Sequence, residues 1–173
     1  MGKKLLQSRM RRQKRQHPSM KIVLFRPDIP QNTGNIGRTC VALGASLVLV
    51  RPLGFSLSDK MIKRSGMDYW DRLDLSVVDS LEEAISDVPS DQIFLLSTQG
   101  EKYYARASLP LSGAYIFGSE SQGVTREVHE KFRGRRLLVP MLDGTRSLNL
   151  ATTVGVVMYE VVRQNYDLWG RAS

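Results

Sequence analysis

Cysteine is nearly absent from this chain: with Cys40 alone, no internal disulfide can form. Its place in a helix-like run beside Val41 and Leu43 marks it as a small buried hydrophobe, and a reduced, intracellular home is the expectation. Histidine is equally scarce. His17 and His129 with one cysteine cannot furnish a usual structural zinc site, and neither HExxH nor a paired-cysteine spacing occurs, so no metal is expected. No apolar run approaches the ~20 residues that a bilayer crossing needs. There is also no basic-then-apolar leader ending in small residues, so the expectation is a cytoplasmic protein without a membrane partner. The common nucleotide fingerprints are missing too. GxGxxG does not follow the first strand-like run and GxxxxGK[ST] occurs nowhere, which removes the best warrant for dinucleotide or nucleoside-triphosphate binding. Ser119 and Ser121 lack the GxSxG spacing and His129 has no assigned acidic partner, so a nucleophilic triad is not expected and His129 reads as a surface helix residue.

What is present is enough for one globular domain: 173 residues, 42% of them hydrophobic. The net charge of +8 is unevenly spread. Lys3, Lys4, Arg9, Arg11, Arg12, Lys14 and Arg15 fall in the first 20 residues with no acid among them, so the remainder is close to neutral. Global basicity therefore says little about the folded part. The division expected is a basic tail over residues 1–20 and a domain over 21–173. The tail is open to reading as an RNA-binding arm, a transit peptide or an artefact of start-site choice at Met20; lacking apolar residues to pack, it is expected to be a disordered, dispensable arm.

Along the domain, strand-like and helix-like runs alternate. Residues 21–25 (KIVLF) have strand length, and the following RPDIPQNTG, with two prolines, reads as a loop. A helix is predicted over 35–43, with Asn35 as its cap and Gly44 as its terminator. Strands are expected at 47–50, 75–78, 93–97, 114–117 and 137–139. Ser58 can cap a helix ended by Gly66, Ser80 with Glu83 forms a capping-box pattern, and a short helix is expected over 125–132. From Ser147 to about Gln164, Leu150, Val154, Val157, Met158 and Val161 recur on one helical face. This order predicts an α/β fold, a mainly parallel sheet with helices on both faces. In such sheets a ligand sits beyond the carboxyl ends of the strands.

Three segments at those ends carry chemistry-bearing residues. PDIPQNTGNIGRTC sets Asn32, Asn35 and Arg38 around a helix start, where free amides and a guanidinium can hold a phosphate; equally, Asn35 can be a cap and Arg38 a solvated cation. FGSESQGV places Gly118, Glu120 and Gly123 in a tight turn. Its glycines let backbone approach a flat ligand, and Glu120 can pair with a cation such as Arg38 or orient an RNA hydroxyl. VPMLDGTRSLNLATTVGVVMYEVVRQ joins a strand to the final helix, with Ser147 and Asn149 at its mouth, where either residue can also be a plain cap.

Together, in order and spacing, these three segments resemble the motifs of the 2'-O-methyltransferase branch of the SPOUT superfamily, and GFSLSDKMIKRSGMDYW between them resembles the feature of the branch that modifies the tRNA wobble nucleotide. The similarity runs from Lys21 to Gln164. The resemblance implies a carboxyl-terminal deep trefoil knot, a rarity in chain connectivity. It implies S-adenosyl-L-methionine held by Leu96, Thr98, Gly118, Glu120, Val139, Met141, Ser147 and Leu148, largely through backbone. It also implies catalytic positions at Arg38, Asn35, Ser147 and Asn149, tRNA as substrate, and a homodimer formed partly by the final helix.

The implied reaction is displacement at a sulfonium methyl by a ribose 2'-oxygen, which requires alignment and loss of the hydroxyl proton. Arg38 stays protonated, so it is read as stabilising alkoxide charge and fixing a phosphate, with the general base unassigned. A 2'-hydroxyl substrate fits RNA and excludes DNA. Lys60, Lys63 and Arg64, or Arg133, Arg135 and Arg136, are candidate grips on the RNA backbone, and each group also fits a solvated face. The competing readings are a non-catalytic RNA-binding module and an enzyme of the same class acting on ribosomal RNA or another tRNA position.

Overall fold

The computed structural model describes residues 20–57 and 69–170. The predicted helix after Ser58, its terminator Gly66, the basic tail, and Lys60, Lys63 and Arg64 lie outside the described residues.

Among the described residues, seven strands form one sheet: β1 (Lys21–Phe25), β2 (Ser46–Val50), β3 (Asp74–Val78), β4 (Ile93–Leu96), β5 (Lys102–Tyr103), β6 (Ala114–Phe117) and β7 (Arg136–Leu138). Their order is β3-β2-β1-β6-β4-β7-β5, and every pairing is parallel. The central strands are buried on both faces because helices cover both. Ile22 and Leu24 of β1 point to one side, where they meet α1 (Pro30–Leu43) and α4 (Leu150–Gln164) through Ile36, Cys40, Val154 and Met158. Val23 and Phe25 point to the other, where Leu81 and Ile85 of α2 (Leu81–Ile85) and Val128 of α3 (Arg126–Lys131) close the second core. The period-2 alternation along β1 thus builds two apolar layers from one strand.

Helix α1 starts five residues before the position predicted. Pro30 stands in its first turn, where a missing N–H costs nothing and a fixed φ suits the helix, so the prolines that suggest a loop in fact open the helix. Asn35 is accordingly an internal, exposed helix residue and not a cap. The other end is as expected: Gly44 takes φ 71° and its amide turns back to Val41. Helix α4 begins at Leu150, not Ser147. Asn149 is its cap, with Oδ1 accepting from the Thr152 amide at 3.2 Å. Ser80 caps α2 by accepting from Glu83 N at 3.2 Å, as its spacing with Glu83 predicts. Two elements carry no sequence signal: the two-residue β5 at the sheet edge, and α5 (Tyr166–Gly170), pinned where Trp169 Nε1 donates to the Leu43 carbonyl at 3.1 Å. Among the described residues, no helix is long and apolar enough to cross a membrane.

The topology sets the site. β4 lies between β6 and β7, with Leu96 level with both Phe117 and Leu137, and β1 flanks β6 on its other side. The loops that leave β1, β4, β6 and β7 therefore emerge side by side at one edge.

Candidate active site

These loops wall a cavity of about 880 Å³, a volume typical of small-molecule sites. Leu96, Thr98, Gly118, Glu120, Val139, Met141, Ser147 and Leu148 all line it, although more than 50 residues separate the first from the last in the sequence. Asn149 lines it as well. Arg38 and Asn35 do not: both are exposed on α1, and the α1 residue that faces the cavity is Asn32.

Three polar side chains tie the loops together: buried Asn32, half-buried Glu120 and exposed Asn149. Asn32 Nδ2 donates to Glu120 Oε1 at 2.9 Å, and Asn32 Oδ1 accepts from Asn149 Nδ2 at 2.9 Å. Glu120 Oε2 accepts from the Asp28 amide at 2.8 Å. The segment after β1, the turn after β6 and the cap of α4 are thus linked through one asparagine. Of the two roles open to Glu120 from the sequence, pairing with Arg38 of the same chain does not form: the carboxylate oxygens accept from Asn32 and the Asp28 amide, while Arg38 lies away from the cavity on α1.

The turn after β6 is built, not loose. Ser119 and Gly123 exchange backbone hydrogen bonds of 3.0 and 2.9 Å, with Gly123 at φ 68°. A Cβ on Gly118 would lie 2.4 Å from the Gly123 carbonyl carbon, so only glycine fits. Asp28 Oδ2 accepts from the Ser121 amide at 3.1 Å and also from its hydroxyl, and these bonds hold the Asp28 carboxyl below the usual carboxylate range.

His129 departs from the surface position expected of it. It lines the cavity from α3, one turn beyond Arg126, with Nε2 3.4 Å from Ser97 Oγ, and its Nδ1 is buried without a hydrogen-bond partner among the described residues. The i, i+3 spacing of Arg126 and His129 is the only signal that puts them on one face, and a six-residue helix is too short for periodicity to say which face is turned inward. The arginines proposed as an RNA grip are engaged in the fold: Arg133 with Glu130, Arg136 with Glu101, and Arg135 with the Ser90 carbonyl.

The wall chemistry suits a ligand with a flat heteroaromatic part and a polar tail. Leu96, Phe117, Val139 and Met141 provide apolar surface, while the strand ends and Asn32, Glu120 and Asn149 provide hydrogen-bonding groups. Among the described residues, no group of three or more His, Cys, Asp or Glu side chains is arranged to hold a metal ion.

Residues 19–159 match the model of the SpoU rRNA methylase family. The tRNA (cytidine(34)-2'-O)-methyltransferase of Methylovorus glucosotrophus is 38% identical over 145 residues, covering 83% of this chain and 94% of that protein. The protein of the same description from Aeromonas hydrophila is 39% identical over 144 residues, with 83% and 92% covered. A solved structure described as giving insight into 2-OH methylation of C/U34 on tRNA superposes with a TM-score of 0.79 at 43% identity, covering 87% of this chain and 94% of its own. With a family match over most of its length and relatives that it spans almost end to end, this chain belongs to the SpoU methylase family.

Proposed function

We propose that this protein transfers a methyl group from S-adenosylmethionine to the ribose 2'-hydroxyl of the wobble nucleotide of tRNA, cytidine or uridine. The observation that carries the reading is the convergence of four loop regions, at residues 96–98, 118–120, 139–141 and 147–149, on one cavity in a chain of this family. The relatives' descriptions support the wobble position and the ribose oxygen as the target.

Bound in this cavity, the cofactor supplies an electrophilic methyl carbon on a sulfonium. The ends of β4, β6 and β7, with Leu96, Val139 and Met141, would hold it. Glu120, fixed by Asn32 and the Asp28 amide, presents a carboxylate of set orientation at the cavity wall. Ser147 and Asn149 stand at the mouth, where a ribose enters. The Arg38 guanidinium stabilises negative charge developing on the 2'-oxygen and fixes an adjacent phosphate.

Because Arg38 and Asn35 face outward from their own chain, the reading includes a homodimer in which these residues of one copy reach the cavity of the other. Leu148, Tyr159, Tyr166 and Leu168 are exposed apolar or aromatic side chains on and around α4, and a pairing there would cover them. A knotted passage of the chain around β7 and a cytoplasmic location complete the reading.

Incubation of the full chain with methyl-labelled cofactor and bulk tRNA, followed by nucleotide mapping, tests it. Label on the 2'-oxygen of the wobble nucleotide is expected, with Arg38→Ala losing turnover and keeping cofactor. Label in ribosomal RNA or at another tRNA position would reassign the substrate. RNA binding without cofactor affinity would leave only a binding module.

A further inference from the structure

Residues 69–73 lie across the middle of α1, on the helix face that carries Gly34, Gly37 and Arg38. The three positions stand at i, i+3 and i+4, so they form one patch. Gly37 makes the approach possible: a Cβ there would come within 3.0 Å of Leu73 Cδ2, 3.6 Å of Trp70 Cζ3 and 3.7 Å of Tyr69 Cε2. The covering segment is itself braced by a 3-10 turn over Trp70–Arg72, with Arg72 N bonded to the Tyr69 carbonyl at 2.9 Å, and it runs directly into β3.

Within that patch Tyr69 contacts the Arg38 guanidinium and the helical turn that carries it. Its ring lies under the guanidinium, with Arg38 Cζ 5.9 Å from the ring centroid. Its hydroxyl donates to the Gly34 carbonyl at 2.5 Å, and in α-helical pairing that carbonyl is the acceptor for the Arg38 amide. Among the described residues Arg38 forms no salt bridge. An aromatic face differs from a carboxylate in what it leaves available. It narrows the rotamers of a long side chain by electrostatic attraction to the ring, yet takes up none of the five N–H donors in the guanidinium plane. The cation therefore stays free to meet the oxygens of a substrate.

We propose that Tyr69 is a positioning residue that aims Arg38 at the reacting ribose, so that the segment lying over α1 governs turnover without touching substrate itself. The inference rests on the catalytic reading of Arg38. It predicts a dependence of rate on the ring and not on the hydroxyl alone.

Single-turnover methyl transfer by the full chain, with Tyr69→Leu, Tyr69→Phe, Arg38→Ala and the Tyr69→Leu/Arg38→Ala pair, tests it. Tyr69→Leu is expected to lower the rate by ~10- to 100-fold, the scale of a misplaced catalytic group, with cofactor affinity by calorimetry unchanged. Tyr69→Phe, which keeps the ring, is expected to stay within ~3-fold of the parent, and in the Arg38→Ala background Tyr69→Leu adds no further loss. If the leucine variant melts at the assay temperature, Tyr69→Met keeps bulk without an aromatic face and takes its place. A normal rate for Tyr69→Leu beside an inactive Arg38→Ala overturns this inference alone. An equal loss from Tyr69→Leu with or without Arg38 also overturns it, since Tyr69 would then act independently. Full turnover by Arg38→Ala overturns the catalytic reading and the inference with it.

Discussion

Asn32 and Glu120 stand 88 positions apart in the chain, yet the amide nitrogen of one donates to Oε1 of the other at 2.9 Å. Asn32 is only 5% exposed and its own amide oxygen accepts from Asn149, so both ends of the side chain are used. Asn32→Ala leaves a half-buried carboxylate oxygen and an Asn149 amide without these partners. An unsatisfied buried group costs about 1–3 kcal/mol. For a domain of this size that is a fall in melting temperature of roughly 2–12 °C, together with weaker cofactor binding, because three cavity loops lose their common tie. Calorimetric melting and cofactor titration of the variant check this, and parental values in both would contradict it.

Gly118→Ala is the sharpest steric test of the cavity. The new Cβ would lie 2.4 Å from a backbone carbon of Gly123, which has no flexible end to move aside. The turn at residues 119–123 must shift, at an expected cost of about 1–3 kcal/mol. If that distortion falls on the ligand wall, cofactor affinity drops on the order of tenfold or more. Titration calorimetry with S-adenosylhomocysteine reads this directly.

The tie between Asp28 and Ser121 gives a pH dependence with a definite sign. The Ser121 hydroxyl first, and its amide second, hold the Asp28 carboxyl below its ordinary value. The folded state therefore favours the carboxylate, and its contribution is fully present above the unfolded pKa of about 3.9 and is lost as pH falls through the lower folded value. Ser121→Ala removes the leading cause, so the Asp28 titration should move up toward the ordinary value. Carbon-13 NMR of the Asp28 carboxyl in the two proteins decides the matter; identical titrations would show that the serine does not hold it.

Cys40 is fully buried, and burial pushes its thiol up to about 12. The thiol form is favoured in the fold, so this group withdraws stability as pH rises from the ordinary thiol value of about 8.5 toward the folded one. At pH 8 the native protein should leave a disulfide reagent unreacted and the unfolded chain should consume one equivalent. Rapid native labelling would mean that α1 opens readily over the sheet.

The parts legible in the sequence are those where one local rule dominates. The apolar run 114–117 is β6 residue for residue, and the spacing of Val154, Val157, Met158 and Val161 gives the inner face of α4. The cavity residues at the strand ends are legible for a topological reason, since loops leaving adjacent parallel strands must gather at one edge. The failures have physical causes as well. Pro30 serves equally in a loop and in a first helical turn, so the start of α1 is ambiguous from composition. The choice between Arg38 and Asn32 as the partner of Glu120 depends on which face of α1 is turned to β6, and until the helix is in place Asn35 is compatible with a cap and Arg38 with a solvated cation. β5 is too short to show a period, and the inward turn of His129 is set by packing of Val128 and Phe132 against the second core.

On the proposed function, strand ends distant in the chain enclose one cofactor. A crystal structure of the full protein grown with S-adenosylhomocysteine tests it most directly. Ligand density is expected between residues 96–98, 118–120 and 139–141, closed by Ser147 and Leu148, with Glu120 still bonded to Asn32. Ligand bound elsewhere, or a cavity filled by the protein's own side chains while the ligand stays in solution, would contradict it.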